Sequence, residues 1–143
     1  MRSTAALPTA GVLRYGVLGL PLAFAALPIY VHVPALYANE LGLSLSLVGA
    51  ILLATRIADA IADPLIGWAS DRFLNRLRLI DLALPVLAVG LVGLLAPPAG
   101  AGGGWLAALL VLVSFAYSVA TINYAAWGAE LGHDADSRTR LVA

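Results

Sequence analysis

RIADAIADPLIGWASDR, residues Arg56–Arg72, places one arginine and two aspartates, Arg56, Asp59 and Asp63, inside a run otherwise apolar enough to cross a membrane, ahead of its Asp71-Arg72 end. An ionisable side chain near the bilayer centre costs roughly 2.5 to 3.5 kcal/mol even on the lenient insertion scale, so three within about two turns need a compensating role. Asp59 and Asp63 are four apart and Arg56 lies a further turn back, so on a helix the three form one stripe. For a span over Leu45–Trp68, Arg56 falls near the midplane, with Asp59 about 5 Å and Asp63 about 11 Å farther along.

The chain around this stretch has 143 residues, of which 62% are hydrophobic and 11% charged. Its mean hydropathy is +0.95. These values exclude an ordinary soluble domain and predict an all-α membrane protein with no soluble domain. There is no cysteine, which excludes disulfides and thiolate metal sites. All eight basic residues are arginines and the net charge is zero. Seven of them fall in three clusters: Arg2 and Arg14; Arg72, Arg76 and Arg78; Arg138 and Arg140. Arginine without lysine, in an Ala, Leu and Gly background, suggests a GC-rich bacterial genome and hence a bacterial cytoplasmic membrane.

About 20 mostly apolar residues are needed to cross roughly 30 Å of hydrocarbon. Four segments qualify: 12–38, 45–70, 79–96 and 105–131. The first is too long for a cleaved signal peptide. The connection Asn39–Ser44 has one acid, Asp71–Arg78 has three arginines, and Pro97–Gly104 is uncharged, its Gly102–Gly104 run reading as a turn. By the positive-inside rule, a cytoplasmic amino terminus, second connection and tail agree with every arginine cluster. Pro21, Pro28 and Pro34 predict a kinked first span. Gly90, Gly93, Ala107 and Ala108 suit close helix approach.

One arginine and two ionised aspartates sum to minus one, so a single proton or monovalent cation would neutralise the stripe. Neutralising a buried site lowers the cost of enclosing it, which lets a conformational equilibrium respond to the ion. The competing reading is structural: an Arg56–Asp59 salt bridge fixes helix packing while Asp63 stays hydrated. Pro64 and Gly67 predict an irregular backbone beside Asp63, with carbonyl oxygens freed toward a hard cation such as sodium.

The segment DPLIGWASDRFLNRLR resembles the cytoplasmic helix 2 to 3 motif of the major facilitator superfamily, through Gly67, Asp71, Arg72 and Arg76, with Asn75 where glycine is common. RIADAIADP resembles helix 2 of the glycoside-pentoside-hexuronide:cation symporters, the melibiose-carrier relatives, with their Arg-x-x-Asp-x-x-x-Asp-Pro run. Further matches are Tyr15-Gly16, Leu41-Gly42-Leu43-Ser44, and Ala126-Trp127-Gly128-Ala129-Glu130-Leu131 followed by Arg138, Thr139 and Arg140. The resemblance implies four helices of a twelve-helix fold, the amino-terminal fragment of a longer symporter whose remaining helices would be needed for a complete carrier. It implies cation-coupled transport of a sugar or similar small polar solute, with Asp59 and Asp63 in a proton or sodium site. Sodium would be the only metal.

Departures from the pattern bear on the cargo. The polar residue that melibiose-type carriers place between the two acids is Ala62 here, and Ser118 can supply a hydroxyl instead; a site with fewer oxygens favours a proton. The family's sugar-binding acids fall on Ala23 and near Thr121, so melibiose-like galactosides are not implied. Asn123 and Trp127, four apart, offer a hydrogen-bonding and a stacking group, and with Thr121 and Tyr124 form the candidate substrate face. Tyr30, His32, Tyr37 and Tyr117 are further polar residues within the spans. Glu130, Asp134, Asp136, Arg138 and Arg140 read as a charged helix end or as gating contacts to the Asp71–Arg78 loop.

An intramembrane metal-dependent phosphotransferase would use Asp59, Asp63, Gly67 and Asp71, but its Gly-Ala-Arg element and second acidic pair are missing. No hydrolase constellation and no nucleotide-binding loop occurs, so no enzyme, cofactor or nucleic-acid partner is expected. The remaining alternative is a non-transporting membrane remnant or a partner protein.

Overall fold

The computed structural model describes residues 9–73 and 75–131. Arg2, Asp134, Asp136, Arg138, Thr139 and Arg140 lie outside the described residues. The described chain is helical: α1 (Thr9–Leu27), a π-helical turn (Pro28–His32), α2 (Val33–Asn39), α3 (Leu45–Phe73), α4 (Arg76–Leu95) and α5 (Gly103–Leu131). Four rods are long and apolar enough to cross a membrane, at Tyr15–Asn39, Leu45–Arg72, Arg76–Leu95 and Gly103–Glu130. At 29 residues each, α3 and α5 reach about 43 Å, more than the roughly 30 Å of hydrocarbon.

The predicted kink is in the first span, in an unexpected form. The Val33 N–H donates to the Pro28 carbonyl, one residue beyond the α-helical register. An α-helical Pro34 would drive its ring into the carbonyl four residues back, at Tyr30, and the wider π turn relieves that clash. Pro64 behaves differently. It has no N–H for the Ala60 carbonyl, yet α3 runs unbroken through it, so the irregular backbone expected beside Asp63 is not found. One missing hydrogen bond leaves the rest of a 29-residue helix intact.

Local chemistry sets the junctions. Gly42 takes φ 70°, a left-handed turn that glycine adopts without steric cost, and the Ser44 hydroxyl accepts from the Leu47 N–H at 3.3 Å to open α3. Asn75 caps α4, its Oδ1 accepting from the Leu77 N–H at 3.1 Å. Arg76 and Arg78 therefore lie in the first turn of α4 rather than in a loop. Helix α5 starts at Gly103, two residues earlier than the sequence reading, so the glycine run is only partly a turn.

Packing centres on α5. A Cβ at Gly90 of α4 would strike Val113, and one at Gly93 would lie 2.8 Å from Leu109, so these glycines let α4 and α5 close together. The Trp105 indole donates to the Gly93 carbonyl at 3.1 Å and ties the far ends of the same pair. Gly103 sits against Leu47 and Ile51 at the start of α3, while Gly67 near its end faces Ile122. The two helices therefore run parallel. Leu22, Ile29, Val33, Leu87, Leu110 and Val113 are among the buried residues of the shared core.

Candidate functional site

Arg56, Asp59 and Asp63 stand on α3 as one stripe. The Arg56 Nη1 donates to Asp59 Oδ2 at 3.3 Å, and its guanidinium lies 4.1 Å above the centre of the Tyr30 ring. The π turn carries Tyr30, so the irregular part of the first span supplies the ring that faces the charged stripe. The Arg56 side chain is 48% exposed and that of Asp59 15%. Asp63 differs from both: its Oδ1 is sealed from solvent and has no hydrogen-bond partner. An unpaired carboxylate oxygen in that position is costly unless something binds it.

Because α3 and α5 are parallel, the register that seats Gly67 on Ile122 puts Asp63 level with Ser118, one turn earlier on each helix. Ser118 is 8% exposed. Tyr30 lies within electrostatic reach of Arg56, Asp59, Asp63 and Tyr117, and Asp59 within reach of both Arg56 and Asp63. The stripe and Tyr30 thus face each other between the first span and α3. Two carboxylates and hydroxyl oxygens suit a proton or a small hard cation. Among the described residues, no group of three His, Cys, Asp or Glu could hold a metal ion.

The second cluster joins three helix ends. Arg76 Nη2 pairs with Asp71 Oδ1 at 2.6 Å, and its Nε pairs with Glu130 Oε1 at 2.7 Å, so one guanidinium links the end of α3, the start of α4 and the end of α5. Gly67 lies a turn before Asp71, its Cα facing Ile122. Arg72 takes no part in the fork; its guanidinium lies 5.8 Å from the Trp68 ring centre. A cleft of about 440 Å³ opens here beside Ser70, Asp71, Arg76, Trp127 and Glu130.

The four residues predicted to face substrate do not share one surface. Asn123 is fully buried, its Nδ2 donating to the Val119 carbonyl at 2.7 Å and its Oδ1 unpartnered. Tyr124 stacks on Tyr15 with centroids 4.2 Å apart and donates its hydroxyl to the Tyr15 carbonyl at 2.9 Å. Trp127 tilts against the same ring at 5.8 Å. These two aromatics seat α1 on α5. Thr121 donates to the Tyr117 carbonyl at 2.8 Å, one turn back on its own helix.

Sequence reasoning did not bring Tyr30 to the charged stripe, because a π turn has no local signature beyond its prolines. It also passed over Asp81 of α4, which lines a groove of about 460 Å³ with Leu13, Val17, Leu18, Leu77 and Trp127. An acid within a predicted span was the available signal. His32 is exposed and joins neither cluster. A third cavity, about 430 Å³ and almost wholly apolar, lies between α3, α4 and α5.

No solved structure matches the chain. The family model for MFS/sugar transport proteins matches residues 11–143, which takes in both the charged stripe and the Arg76 fork. A multi-pass helical membrane unit with ionisable side chains turned into its packing fits that match, and the chain belongs to the MFS/sugar transport protein family.

Proposed function

We propose that this chain forms part of a cation-coupled carrier of a sugar or similar small polar solute, of the glycoside-pentoside-hexuronide:cation symporter type, in which Asp59, Asp63 and Ser118 hold the coupling proton or sodium ion. The observation that carries this reading is Asp63 Oδ1, a carboxylate oxygen enclosed without a partner, one turn from an acid already paired with Arg56. An ion bound there neutralises the net minus-one stripe and removes the penalty of closing the site. The Arg76 fork is the gating element of this reading, and the positive-inside rule applied to Arg72, Arg76 and Arg78 supports a cytoplasmic position for it.

The 3.3 Å Arg56–Asp59 pair also favours a structural part for Asp59. Asp63 is therefore the discriminating residue. Labelled mono- and disaccharide uptake into cells expressing a complete carrier that includes this chain, with and without an imposed proton or sodium gradient, tests the proposal. Asp63→Asn should retain wild-type helicity and expression but lose the gradient dependence. Gradient-dependent uptake that survives the substitution removes Asp63 from the cation site.

A further inference from the structure

Two serines of α5 stand apart from its other short polar side chains. Thr121 on the same helix, and Thr55 on α3, donate back to a carbonyl one turn earlier, the usual resting place of a helical hydroxyl. The Ser114 and Ser118 hydroxyls make no such bond, and neither hydroxyl has a partner among the described residues. Both residues are buried, Ser114 at 5% and Ser118 at 8% exposure, but neither hydroxyl oxygen is sealed as Asp63 Oδ1 is.

Their direction follows from the helix. Leu109 and Val113 turn toward the glycines of α4, and Ser114 and Ser118 lie roughly 100° and 140° around from Val113 at the α-helical rotation per residue. That is the side on which Gly103 and Ile122 meet α3. The register that sets Asp63 level with Ser118 sets Asp59 level with Ser114. By register, each of two levels pairs an aspartate position of α3 with a serine position of α5.

We propose that Ser114 is a further oxygen donor of the cation site, beside Asp59, Asp63 and Ser118, and that it turns the preference of the site from a proton toward sodium. The inference rests on the cation-coupling reading of Asp59 and Asp63. A proton needs one carboxylate oxygen and no other ligand. Sodium must exchange hydration oxygens for protein oxygens, and each added hard donor makes the exchange more favourable. Two carboxylates against one guanidinium leave a single negative charge, which matches a monovalent ion.

The test is calorimetric titration of sodium chloride, against choline chloride at equal ionic strength, into the chain held in phosphatidylethanolamine and phosphatidylglycerol nanodiscs. Wild type should bind sodium, and Ser114→Ala should weaken that binding roughly tenfold. Ser114→Cys, close in size but without the hard oxygen, should match it, while Ser114→Thr should restore wild-type affinity. Wild-type affinity in the alanine or cysteine variant overturns the proposal. So does a wild type that shows Asp63 protonation in the carboxyl infrared band but no sodium heat, an outcome that leaves proton coupling standing. Sodium binding unchanged in Asp63→Asn overturns the underlying reading as well.

Discussion

A glycine decides how α1 meets α5. A Cβ at Gly128 would lie 2.6 Å from the Tyr15 ring, and one at Gly19 would strike the Tyr124 hydroxyl, so the stacked pair fits only because both positions lack a side chain. Gly128→Ala should therefore destabilise the fold by about 1 to 3 kcal/mol through overpacking, read from unfolding in detergent. Adding Tyr15→Ala should recover part of the loss, because the two changes share one contact. Nothing local reveals this pairing: the residues joined are 109 positions apart. The charged stripe was legible for the opposite reason. Arg56, Asp59 and Asp63 stand out because charge is costly in an apolar run, whereas Ser114 amid Leu, Val and Ala leaves hydropathy almost unchanged and shows itself only through burial and register.

At the level of elements, the α3 to α4 junction turns on Asn75. The family motif commonly has glycine there, and the structure gives the physical reason asparagine serves: its side chain caps α4 at the Leu77 amide. Asn75→Ala should cost about 1 kcal/mol, and Asn75→Gly only a few tenths. The readout is faster hydrogen exchange at the first amides of α4. Four membrane-spanning helices were readable from length and apolarity alone, since any backbone in hydrocarbon must satisfy its own hydrogen bonds. Which proline would distort its helix was not. Pro28 and Pro34 bracket a π turn while Pro64 rides within an unbroken α3.

For the whole molecule, the arginine pattern sets an expected orientation. The chain has no cysteine, so single cysteines report sidedness without background. In intact cells a membrane-impermeant maleimide should label Gly102→Cys, and Asn75→Cys only after permeabilisation. The four rods are also joined by different kinds of contact. Arg76 grips a carboxylate from α3 and another from α5, and the Trp105 indole pins α5 to α4 at the opposite end. Directional bonds of this kind break if their partners slide by a few tenths of a nanometre. The first span has one such bond, from the Tyr124 hydroxyl to the Tyr15 carbonyl, and is otherwise attached ring on ring at Tyr15 and guanidinium on ring at Tyr30, flat faces that tolerate shear. In mechanical terms, α3, α4 and α5 are a braced frame, and the first span is a strut fastened to it by one directional bond among the described residues.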